Sequence, residues 1–133
     1  LRNILVIAIL VALSACAAAP TVSCKTGEQK AVHDTLYFGT AKPGGVVTDD
    51  EWARFLETVV ASRFPRGLTV SRASGQWRGA DGRVVRESSH VLQLVHPDDA
   101  ADETSVSEIS AAYKTQFQQE AVLRVRAGTC VSF

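Results

Sequence analysis

The sequence predicts an α+β domain, one antiparallel four-stranded sheet with two helices packed against one of its faces. Three observations carry this expectation. Period-two and period-3.6 apolar patterns follow one another in the order strand, helix, strand, strand, helix, strand. Each helical segment has a single apolar stripe and each strand a single apolar face, so two layers bury what needs burying. Capping and turn residues fall between the segments. A length of 133 residues suits one domain.

The first strand is read over residues 34–39, where Leu36 and Phe38 alternate with Thr35 and Tyr37. Lys42-Pro43-Gly44-Gly45 makes a loop by composition. Thr48 and Glu51 have the spacing of a capping box, in which the hydroxyl accepts a helical N–H and the carboxylate reaches back. Trp52, Phe55, Leu56, Val59 and Val60 then form one helical stripe, which Pro65 and Gly67 stop. A hairpin follows, with arms starting at Leu68 and ending at Val95. A two-residue turn at Asp81-Gly82 would set Leu68 and Val70 against Val95 and Gln93. A three-residue loop with Gly82 left-handed sets them against Leu94 and Leu92, placing four aliphatic side chains on one face, and is preferred. That register puts Trp77 opposite Val85 and Gly75 opposite Glu87. The second helix is expected from about Ser105, with Glu108 completing a capping box. Val106, Ile109, Ala112, Tyr113 and Phe117 lie on one side of it. Residues 121–126 read as the last strand. The order β-α-β-β-α-β fits most simply a ferredoxin-like two-layer sandwich with strand order 4-1-3-2 and both helices on one face.

The N-terminus reads differently. Arg2 precedes an unbroken apolar run from Ile4 to Leu13, too short to span the ~30 Å hydrocarbon layer, and Ser14-Ala15-Cys16 follow. Leu13-Ser14-Ala15-Cys16 resembles the bacterial lipobox. That resemblance implies cleavage before Cys16, a diacylglyceryl group on its sulfur, palmitate incorporation, and a membrane tether outside the cytoplasm. An ordinary signal peptide cut after Ala19 is the alternative. With no Asp after Cys16, analogy favours the outer membrane and a periplasm-facing domain. The expected organisation is a signal peptide over 1–15, a tether over 16–32 and one domain over 33–133. Cys24 and Cys130 remain, and an oxidising compartment favours a disulfide between them over free thiols or a metal pair.

Composition excludes some partners. Lys+Arg and Asp+Glu are 14 each, so there is no basic excess for phosphate backbones and nucleic acid is not an expected partner. With 46% hydrophobic and 21% charged residues, wholesale disorder is also excluded.

The segments DTLYFGTAKPGG, DDEWARFL, RFPRGLTV, GQWRGADGRVVRESSHVL, AAYKTQF and AVLRVRAGTCVSF together resemble the DUF3574 family over residues 32–133. The resemblance implies a small bacterial exported protein or lipoprotein, and it supplies no catalytic residue to carry over.

Function is therefore argued from surface chemistry. By alternation the helix-free face presents Tyr37, Trp77, Glu87, Gln93 and Arg124, with Thr35, Val85, Ser89, Val91, Val95 and Arg126 beside them. Such a mixture of aromatic, aliphatic and charged groups suits a small molecule, a protein ligand or a second copy in a homodimer. Glu87 could work as an acid or base only if buried against Trp77. His33 and His96 reach one rim but on opposite faces, so no catalytic residue, metal site or cofactor is assigned, and His96 is expected beside Asp34. The leading expectation is a lipid-anchored extracytoplasmic binding or interaction domain that uses the open face. A small enzyme with its site on that face or at a homodimer interface is the alternative.

Overall fold

The computed structural model describes residues 22–78 and 81–133. The leader and Cys16 lie outside the described residues. The elements in chain order are β1 (Gln29–Gly39), β2 (Ala41–Lys42), β3 (Gly45–Val46), α1 (Asp49–Phe55), β4 (Thr69–Arg78), β5 (Val84–His96), α2 (Ala100–Phe117) and β6 (Leu123–Val131). A π-helical turn over Leu56–Val60 continues α1. The long strands form one sheet in the order β4-β5-β1-β6, antiparallel throughout, and β2 and β3 form a separate small ribbon. The fold class is thus α+β.

Local chemistry explains most element ends. Thr48 Oγ1 accepts from Glu51 N at 3.2 Å and Glu51 Oε2 accepts from Thr48 N at 2.8 Å, the reciprocal capping box. In the hairpin Val70 pairs with Leu92, Gly75 with Glu87 and Trp77 with Val85. Gly82 has φ +81°, a region open to glycine without steric cost. Two boundaries differ from expectation. α2 starts at Ala100, because Asp99 caps it by accepting from Asp102 N at 2.8 Å, and Ser105 lies inside the helix. β1 starts at Gln29, inside the segment read as tether, because β6 runs back to Val131 and pairs with it.

The core lies between the sheet and the helices. Leu36, Phe38, Leu92 and Leu94 from the sheet meet Trp52, Phe55 and Val60 from α1 and its π turn, and Val106, Ile109, Tyr113 and Phe117 from α2. The i→i+5 bond from Ala61 N to Leu56 O widens that turn, and Phe55 and Val60 both become fully buried. Phe38 is ringed by Trp52, Phe55 and Tyr113 at centroid separations of 5.3, 6.2 and 4.6 Å. Tyr113 Oη donates to Gly39 O at 2.8 Å, which satisfies its one buried polar atom. Cys24 is disulfide-bonded to Cys130, tying the start of the domain to the last strand.

Candidate functional site

The register fixes which side chains share the helix-free face. Across the sheet the rows are Ser71–Val91–Tyr37–Leu123, Thr69–Gln93–Thr35–Val125 and, further along, Val95–His33–Ala127. Trp77 and Val85 form a further pair on the projecting hairpin. Exposure there is high for apolar groups: Trp77 54%, Val95 51%, Val125 49% and Leu123 61%. Val91, between Tyr37 and Ser71 in the register, is buried without any help from the helices. Tyr37, Trp77, Glu87 and Gln93 therefore share this face.

Arg124 does not share it, and neither does Arg126. Arg124 pairs in register with Leu36 and Arg126 with Asp34, so both point to the helix side. The cause is Asp34, a fully buried carboxylate. Arg124 Nε and Nη2 donate to its two oxygens at 2.8 and 2.6 Å, and Nη1 and Nη2 reach Glu103 of α2 at 2.6 and 2.8 Å. A buried carboxylate needs a cation, and the edge strand supplies it. Leu123 and Val125 are thereby turned onto the open face, which is more apolar than the sequence suggested.

His96 is buried beside Asp34, its Nε2 2.9 Å from Asp34 Oδ2 and its Nδ1 2.7 Å from Pro97 O. Burial opposes ionisation of Asp34, but the bonds from Arg124 and His96 outweigh it and hold the carboxyl below its ordinary value. The group is a structural tie between β1, β5, β6 and α2. His33 sits on the open face, so the two histidines do not converge.

Glu87 is on the open face but turned toward the end of β1, where Oε1 accepts from Ala41 N at 2.8 Å. Gly39 leaves room for it, since a Cβ at that position would lie 2.6 Å from Oε1. Glu87 thus caps backbone and is not buried against Trp77, so the acid–base role that burial would have required has no support.

Sequence reasoning left His90 unassigned. It faces the helices, stacked on Trp52 at 4.4 Å with a 5° interplanar angle. Burial, then the nearby Arg72, push its pKa down, with Asp49 opposing, so the ring is neutral near pH 7. Its Nε2 has no partner among the described residues. His90, Arg72, Ser74 and Ser88 line a cleft of about 520 Å³ beside the β2–β3 ribbon. Among the described residues, the single cluster of metal-ligating side chains is Cys24, Glu28 and Cys130, whose two sulfurs are consumed by the disulfide.

Comparison with known proteins adds fold and family. The model of a protein family of unknown function, DUF3574, matches residues 33–133. No curated protein matches the chain. Among solved structures, a phage SAM lyase in complex with S-methyl-5′-thioadenosine is similar at TM-score 0.56 and 13% identity, over 86% of this chain and 97% of that one. CutA from Synechococcus elongatus, complexed with Bis-Tris, is similar at TM-score 0.52 and 11% identity, over 79% of this chain and 87% of that one. At these identities the likeness is one of fold.

Proposed function

The chain belongs to the DUF3574 family, whose function is unknown, and we propose that it is a self-associating interaction domain of the bacterial envelope, its helix-free sheet face packing on that of a second copy. In the ferredoxin-like reading of the fold, with order 4-1-3-2, that face is the one large surface the helices leave uncovered. The observation that carries the proposal is the alternation that puts Tyr37, Trp77, Val85, Val95, Leu123 and Val125 on one exposed face. Charge favours a copy of the same chain over a charged partner. Glu87 is the only Asp, Glu, Lys or Arg on the face within the paired register, so two such faces bring a single carboxylate from each copy together. Strands ~4.8 Å apart and ~3.3 Å per residue give a footprint of roughly 600 Å² before side-chain relief, near the ~800 Å² per partner of a stable interface. Two such sheets would stack about 10 Å apart.

The lipobox resemblance supports anchoring through a lipid on Cys16, with the domain facing the periplasm from the outer membrane. The experiment is sedimentation of the full chain in density-matched neutral detergent, together with palmitate labelling in cells. Wild type should form a concentration-dependent dimer. Val95→Lys with Leu123→Lys should be monomeric at unchanged thermal stability, since both side chains are exposed in the monomer. Cys16→Ser should abolish labelling. A wild type that stays monomeric, or a double variant that still dimerises, refutes the face; labelled Cys16→Ser protein refutes the anchor.

A further inference from the structure

At the rim where β1 starts and β5 ends, beside the disulfide, lies a cleft of about 580 Å³ that meets the open sheet face at His33, Gln93 and Val95. Lys30 and His33 of β1 and Arg66 from the loop before β4 line it, and no Asp or Glu side chain does. Among the described residues the side chains of Lys30 and His33 make no hydrogen bond or ion pair, their strand pairing being through the backbone. The carboxylate nearest Arg66 is Asp102 Oδ2, at 3.9 Å, and Asp102 also faces His96 Nδ1 at 3.8 Å. Thr69 and Gln93 add neutral hydrogen-bonding groups, while Leu68 and Val95 contribute apolar wall.

The geometry points to a binding site for a small organic anion, a phosphate or similar anionic head carried on a short apolar body. Two cations in one concavity with partly apolar walls focus a positive potential, from which Asp102, 3.9 Å from Arg66, and the main-chain carboxylate of Phe133 subtract. The Arg66 fork matches a pair of anionic oxygens, and Lys30 adds a point charge. The volume lies within the ~300–1,000 Å³ of ordinary small-molecule clefts, far more than a bare ion fills. The aliphatic wall gives the apolar body a place to leave water. One head-group chemistry has two sources here, a free phosphate ester or the head of a phospholipid.

The test is calorimetric titration of the full chain in neutral detergent with two probes, phenyl phosphate and monomeric dihexanoyl phosphatidylglycerol. Saturation by at least one probe, at one site per chain, is expected. The affinity should fall at least tenfold in Lys30→Glu with Arg66→Glu and should weaken with added salt. Lys30→Gln with Arg66→Gln, which adds no new charge, should show the same loss if the charge-reversed protein does not fold. Arg78→Glu with Arg86→Glu, on the hairpin outside the cleft, should bind as wild type does. Whichever probe saturates identifies the source. Absence of saturation by both, or affinity that survives the Lys30 and Arg66 changes, overturns the site. Val95 borders the cleft but Leu123 does not, so a Leu123→Lys monomer that still binds separates this proposal from the self-association one.

Discussion

Asp34 sits on the covered face of β1 between Val32 and Leu36, fully buried and ionised because Arg124 and His96 hold it so. Removing one partner of a buried pair leaves the other uncompensated, so Arg124→Met should destabilise the domain by about 3–5 kcal/mol. Asp34→Leu combined with Arg124→Met should recover most of that loss. The pH dependence has a definite sign. A carboxyl depressed in the folded state contributes stability above its unfolded value of ~3.9, and that contribution is lost as pH falls through the folded value. In Arg124→Met the depression shrinks, so urea-unfolding midpoints measured between about pH 3 and pH 7 should begin to fall at higher pH than in wild type. A pH profile parallel to wild type would show that Arg124 does not set the Asp34 charge. This residue pair is also where the structure departs from the sequence pattern, since Arg124 faces the helices and not the open face. Residues 121–126 alternate in a way that allows either parity, and facing valine and leucine inward is the usual choice. The clue was Asp34 itself, at the same parity as Leu36 and Phe38. A carboxylate in that position requires a cation from a neighbouring strand, a requirement that crosses 90 residues and no local pattern displays.

Among the elements, α1 and the β4–β5 hairpin were legible because their signals are local. The Thr48–Glu51 box and a glycine at the left-handed position of a short loop are decided within a few residues. α2 is capped by Asp99 and not by the expected Ser105, although each has an acidic residue three positions on. Asp99 prevails because Pro97-Asp98 already breaks the strand and Asp102 and Glu103 then fall in the first turn, where the helix dipole favours them. Asp99→Ala should therefore cost about 1 kcal/mol and Ser105→Ala only a few tenths. Thermal or urea unfolding of the two variants checks the order, and a larger loss at Ser105 would place the helix start there. At the other helix, the salt bridge to Lys42 and the bond from Thr48 N push Glu51 down to about 2. Its share of stability is thus fully present above its ordinary value and is lost progressively as pH falls from there to about 2.

On the scale of the whole molecule, the two-layer class followed from periodicity together with the capping and turn residues between segments, whereas the open face needed the register of every strand before its composition could be read. The disulfide lies between these cases. Two cysteines at the ends of one domain suggest a pair, and the sheet makes the pairing local in space. Lys30 opposes Cys130 across β1 and β6, and Cys24 precedes β1 by one short turn. The bond closes a loop with a sequence separation of 106, for which the chain-entropy model gives about 4–5 kcal/mol. β1 between Gln29 and Val32 gains most from it, because there the strand lies beyond or at the end of its pairing with β5, which starts at Val32, and relies chiefly on β6. Cys24→Ser with Cys130→Ser should therefore lower stability by about 2–5 kcal/mol. Amide exchange should rise first at residues 29–32 and at 128–131, while residues 34–37, held on both sides, keep their protection. Uniform loss of protection across β1 would mean that the bond stabilises the sheet as a whole. Unchanged stability would mean that pairing with β6 suffices to hold the rim, and with it the cleft lined by Lys30 and Arg66, without a covalent tie.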